Sequence, residues 1–148
     1  MPYSHLLVPS DGSERSLRAV REAVALAKPL GAQITVLTVI RPPRLPVPGV
    51  GERLDPTTLA ALADAARQAG ERAGSEALAV AAAAGVGASV EQVPGEVPHR
   101  AIVAAADRLN CDLIVMASHG RRGVQRMLLG SQTQKVLLLA RQPVLVIH

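Results

Sequence analysis

Residues 117–133 read ASHGRRGVQRMLLGSQT, and they hold the pattern best suited to chemistry in this chain. Three glycines (Gly120, Gly123, Gly130), three arginines (Arg121, Arg122, Arg126) and Ser131 follow the apolar run Leu113, Ile114, Val115 and Met116. Backbone amides exposed in a glycine-rich turn and aimed with a helix N-terminus favour an anion such as phosphate. From Leu113 to His148 there are five Arg or Lys residues and no Asp or Glu. That imbalance suits a phosphate better than the whole-chain net charge of +4 does.

Plainer readings stand beside these. Gly130 and Ser131 could form only a helix-start turn, because Ser is a common N-cap. Asp11 could simply stabilise its own turn through its side chain. His119 has the residue type of a general base, yet no Ser-His-Asp or Cys-His pattern accompanies it. His5, His99 and His148 are scattered and share no metal-ligand spacing with Cys111. Arg121, Arg122 and Arg126 could be solvated charges, although a guanidinium suits phosphate oxygens when a polyphosphate is bound.

The elements that must position these residues are legible as periodic runs. His5 to Val8 reads as a buried strand closed by Pro9 and the turn Ser10-Asp11-Gly12, with Ser13 capping a helix. Leu17, Val20, Val24 and Ala27 recur at helical spacing, and Gly31 ends that helix. Residues 33–40 are rich in β-branched side chains and predict a second strand. Residues 41–55 hold four prolines and two glycines and predict an irregular, exposed loop, either functional or a plain surface excursion.

Asp55 and Pro56 mark the next helix start. That helix is expected to run to about Ala84, with Leu59, Leu62, Ala66, Ala69, Ala73 and Val80 on one face. Gly70 and Gly74 weaken it and allow close packing. Residues 88–93 form a third strand, and Val97 or Pro98 opens a third helix with Ile102, Val103, Ala106 and Leu109 inward. Residues 113–117 form the fourth strand, residues 131–141 the fourth helix and Val144 to Ile147 the fifth strand.

Alternating β and α with short, continuous apolar strands predicts one α/β domain over residues 1–148. Its doubly wound parallel sheet of five strands carries helices on both faces. Such sheets bind ligands beyond the carboxyl ends of strands, where the strand order reverses. The turns at 10–13 and 118–123 then share one edge of the sheet.

Composition narrows the function classes. Tyr3 is the only Phe, Tyr or Trp, so the core is aliphatic and no aromatic platform exists for stacking bases. No stretch approaches the ~20 apolar residues of a membrane span, and the N-terminus lacks the pattern of a secretory signal. The single cysteine excludes an intrachain disulfide and fits a reducing cytoplasm.

The residues around these turns resemble the universal stress protein family, in its ATP-binding type, over the whole chain. In that family the loop after the fourth strand reads Gly, two residues, Gly, nine residues, Gly, then Ser or Thr. Here Gly120, the nine residues 121–129 and Gly130-Ser131 match, and Ala117 stands at the first glycine. VPSDGS, DLIVMASHG, LLGS and QPVLVIH also look like the family.

The resemblance implies strand order 3-2-1-4-5 and a bound ATP, with magnesium brought by the phosphates. Pro9, Ser10 and Asp11 would lie beside adenine and ribose, with Asp11 on a ribose hydroxyl, and Val39 would meet adenine through its backbone. Ala117, Ser118, His119, Gly120, Arg121, Arg122 and Gly123 would wrap ribose and phosphates. Gly130, Ser131, Gln132 and Thr133 would present amides and hydroxyls to the phosphates. Val144 to Ile147 would pair antiparallel with a second copy, giving a homodimer.

The expected function is therefore a cytoplasmic, ATP-binding stress-response module that signals by occupancy. No Gly-x-x-x-x-Gly-Lys-Ser/Thr loop is present, and no lysine lies in the Gly-rich segment. The resemblance allows slow hydrolysis or self-phosphorylation on a hydroxyl such as Ser131. Three alternatives remain: a family member working by dimerisation without nucleotide, an enzyme activating substrates at the ATP α-phosphate, and a nucleic-acid binder. The last has a basic loop but no recognisable reading module.

Overall fold

The computed structural model describes residues 3–42, 55–120 and 128–148. Nine elements alternate along them: β1 (His5–Pro9), α1 (Glu14–Leu30), β2 (Gln33–Ile40), α2 (Pro56–Ala84), β3 (Ala88–Pro94), α3 (Pro98–Arg108), β4 (Leu113–Ala117), α4 (Ser131–Leu139) and β5 (Val144–Ile147). The strands form one sheet in the order β3-β2-β1-β4-β5, and every pairing is parallel. This is the expected doubly wound α/β arrangement.

Successive strand side chains point to opposite faces, and both faces are buried. Leu6, Val8, Ile34, Val36, Leu113 and Val115 pack with Val20, Ala23, Val24 and Ala27 of α1 and with Ala77 and Ala81 of α2. On the other face Leu7, Leu37, Ile114 and Met116 pack with Ile102, Ala105 and Ala106 of α3 and Val136 of α4. Strands covered twice must be apolar at consecutive positions, and β4 is buried at all five.

Local chemistry sets the boundaries. The Ser13 side chain caps α1 by accepting from the Ser16 amide, and Asp55 caps α2 by accepting from Thr58. Both helices close on a glycine in the left-handed region, Gly31 (φ 65°) and Gly85 (φ 73°). That conformation costs glycine no Cβ clash.

Two expectations are corrected. The fourth helix ends at Leu139, not Arg141, because Ala140 takes extended backbone (ψ 140°) ahead of Pro143. The predicted inward face of α2 holds only for its second half: Ala73, Gly74, Ala77 and Ala81 are buried, whereas Leu59 and Leu62 are exposed. Length explains this. A helix of 29 residues extends about 43 Å at ~1.5 Å per residue. The eight residues of β2 span only about 26 Å at ~3.3 Å per residue, so the start of α2 overhangs the sheet.

Candidate functional site

The strand order reverses between β1 and β4, and the turns that leave their carboxyl ends meet there. After β1, the Ser10 amide donates to the Leu37 carbonyl at 2.9 Å, which keeps the turn against β2. Gly12 then takes φ 78°. Asp11 braces this turn: its Oδ1 accepts from the Ser13 amide and from the Ser16 hydroxyl, both at 2.9 Å. The buried Ser16 hydroxyl also lies 3.1 Å from Ser10 Oγ. Asp11 thus stabilises its own turn, the plainer of its two expected roles.

The last paired residues of β1 and β2 are Pro9 and Leu37. In a strand, backbone groups two residues apart point the same way. Val39 therefore turns its N–H and C=O toward the β1 side, as Leu37 does, but past the end of β1. Ile40 points oppositely, and its carbonyl accepts from Gly95 at 3.0 Å. Thus Val39 presents main-chain groups at the sheet edge.

Beyond β4 the chain is held tightly. The Ser118 amide donates to the Ile147 carbonyl at 2.8 Å, and the Gly130 amide donates to the Ser118 carbonyl at 2.7 Å. The buried Thr133 hydroxyl donates to the carbonyls of Ala117 and Ser118 at 3.0 and 3.1 Å. These contacts lay the start of α4 directly over the end of β4. A Cβ at Gly130 would stand 3.1 Å from the Ser118 carbonyl oxygen and 3.4 Å from His119 Cα. Only glycine allows this approach without displacing backbone.

Gly120 serves the opposite turn, since its Cβ would sit 2.9 Å from Asp11 Oδ2. The β1 and β4 turns are thus in contact through Asp11 and Gly120. His119 is buried, with Nδ1 3.2 Å from Ser118 Oγ, and its Nε2 has no hydrogen-bond partner among the described residues. Ala117 lies in β4 as extended strand, and among the described residues those with positive φ are Gly12, Gly31, Gly85 and Asn110. An alanine at this place therefore meets no backbone restriction.

Gly130 is the N-cap of α4 and supplies no side-chain cap. Ser131, Gln132 and Thr133 follow as its first turn, whose amides have no intrahelical acceptor. Those amides carry the positive end of the helix dipole. Their side chains do other things. Ser131 is exposed, Thr133 binds the β4 end, and Gln132 Oε1 accepts from His99 of α3. Ser16 and His99 are the positions that sequence reasoning missed. They act through contacts with Asp11 and Gln132 that no local spacing announces.

The structure thus brings Pro9, Ser10, Asp11, Ala117, Ser118, His119, Gly120, Gly130 and Thr133 together, with Val39, Ser131 and Gln132 on the same carboxyl edge. Arg121, Arg122 and Gly123 lie outside the described residues, as does most of the Pro-rich segment, residues 43–54. Among the described residues no cluster of three or more His, Cys, Asp or Glu could hold a metal ion. No helix there is long and apolar enough to cross a membrane.

A model of the universal stress protein family matches residues 2–148. The chain belongs to the universal stress protein family. It is 32% identical over 146 residues to universal stress protein MJ0531 of Methanocaldococcus jannaschii, covering 98% of this chain and 82% of that one. The solved structure of hypothetical protein MJ0577 superposes with a TM-score of 0.83 at 25% identity, covering 99% of this chain and 96% of the other. A universal stress protein solved in complex with cAMP is similar at a TM-score of 0.69 and 28% identity, covering 100% and 98%.

Proposed function

We propose that this universal stress protein binds ATP at the carboxyl edge between β1 and β4 and works as a homodimeric, occupancy-dependent stress-response module. The observation that carries the reading is the uncapped first turn of α4, held over the β4 end by Gly130. Its cradle is one that a Cβ would fill. Three successive amides at a helix start, with no acidic side chain in that turn, suit a polyphosphate.

In this reading Val39 reads adenine through its backbone, Asp11 accepts from a ribose hydroxyl, and Ser10 and Gly120 shape the wall. Arg121, Arg122 and Gly123 complete the phosphate side. Magnesium arrives on the phosphates, because an ion of this kind usually keeps waters and phosphate oxygens as ligands. The cAMP complex of a relative at 28% identity supports an adenine nucleotide as the ligand class. Any hydrolysis or self-phosphorylation is slow, since the segment lacks the lysine that a P-loop places on the phosphates.

Thermal unfolding tests this directly. A ligand selective for the folded state adds about 2.7 kcal/mol of stability at 100 times its Kd. Magnesium-ATP should therefore raise the melting temperature of the wild-type chain, and Gly130→Leu should abolish the shift while remaining folded. An unchanged melting temperature at millimolar ATP contradicts the proposal and favours action by dimerisation alone.

A further inference from the structure

We propose that His99 is a positioning residue for the phosphate-holding start of α4, acting through Gln132. The proposal rests on the nucleotide-binding reading above and assigns a role to a residue 33 positions away from the one it touches.

Helix α3 begins at Pro98. Its N-cap, Val97, makes no side-chain cap, and Pro98 has no N–H to satisfy. The His99 amide is then the first donor of the helix in need of an acceptor. Gln132 Oε1 supplies it from α4 at 3.0 Å. Only the oxygen of the side-chain amide can accept from a backbone N–H, so the orientation of Gln132 is fixed. The same oxygen lies 2.9 Å from His99 Nδ1. That nitrogen must therefore carry the proton and donate, because two acceptors cannot face each other. His99 is only 8% exposed, so its ring makes this bond away from competing water.

Gln132 is the second residue of α4, in the turn whose amides would face the phosphates. Thr133 beside it is tied to the β4 end through Ala117 and Ser118. The first turn of α4 is thus fixed from two sides, to β4 by Thr133 and to α3 by Gln132. Donors held in place before the ligand arrives bind an anion without a reorganisation cost. Removing the imidazole leaves Gln132 with one donor instead of two and frees that turn to shift. A loss of this kind should fall on the phosphates and spare the nucleoside.

The test uses the full chain and displacement of a fluorescent ATP analogue by ATP and by adenosine. His99→Ala should weaken ATP about fivefold, equivalent to about 1 kcal/mol, and leave adenosine unchanged. His99→Asn retains a side-chain N–H near the place of Nδ1 and should restore ATP binding. In a Gln132→Leu background, His99→Ala should have no further effect. Equal losses for ATP and adenosine, or no loss with His99→Ala, overturn the positioning role while leaving nucleotide binding standing. A wild-type chain that binds neither ligand overturns both.

Discussion

Cys111 is 4% exposed. Burial, reinforced by the negative charges of Asp112 and Glu91, pushes its thiol up to about 11. The thiolate is the reactive form, so native protein at neutral pH should resist iodoacetamide and label fully only on unfolding. Rapid native labelling contradicts this. Its neighbour Asp112 behaves oppositely. Burial pushes the carboxyl up, but hydrogen bonds from the Ser4 hydroxyl and the Ser4 and His5 amides outweigh it, so the carboxyl is held below its ordinary value. A depressed folded value stabilises the protein above the unfolded value of about 3.9, and the gain is lost as pH falls through the folded value. Asp112→Asn should therefore lower the melting temperature at pH 7, with the gap to wild type closing under acid. A gap independent of pH contradicts the linkage.

Among the elements, α2 sets the clearest packing test. A Cβ at Gly74 would lie 2.8 Å from Val90 Cγ1, a stiff branched side chain of β3. At Gly70 the nearest atom, at 2.6 Å, is Gln92 Nε2, the far end of a flexible side chain held by one exposed bond to the Arg67 carbonyl. Gly74→Ala should cost about 1–3 kcal/mol through overpacking. Gly70→Ala should be neutral or stabilising, since Gln92 can move aside and Ala gains about 1 kcal/mol of helix propensity over Gly. The reverse order of melting temperatures would count against the packing described.

The same helix shows where sequence reading stops. Its start at Asp55-Pro56 and its small-residue packing were legible from local chemistry. Its face was not, because Leu59 and Leu62 keep helical spacing in a stretch that overhangs the sheet. At the site, Gly130, Asp11 and the strand ends were legible from spacing and turn chemistry. The Ser16–Asp11 and His99–Gln132 bonds were not. The resemblance implies that Gln132 offers its amide to the phosphates, and its side chain caps α3 from the same turn, a bond that no local spacing announces.

For the whole molecule, the strand order leaves β5 at the edge of the sheet. An apolar edge with unpaired backbone groups recruits another strand, and β5 reads Val144-Leu145-Val146-Ile147 with Leu145 39% exposed. Leu137, Leu138 and Leu139 of the adjacent α4 are also exposed. The proposed homodimer pairs β5 with its copy. Sedimentation should show a species of twice the 15.4 kDa chain, and Leu145→Lys should shift it to monomer. A monomeric wild type contradicts the pairing.

Whatever the oligomeric state, the proposed nucleotide site is the corner where β1, β4 and α4 converge. A crystal structure of the chain grown with excess magnesium-ATP tests that corner most directly. The phosphates should lie within hydrogen-bond distance of the Ser131 and Gln132 amides, with adenine beside the Val39 backbone. Nucleotide density elsewhere, or none at this edge under saturating ATP, would contradict it.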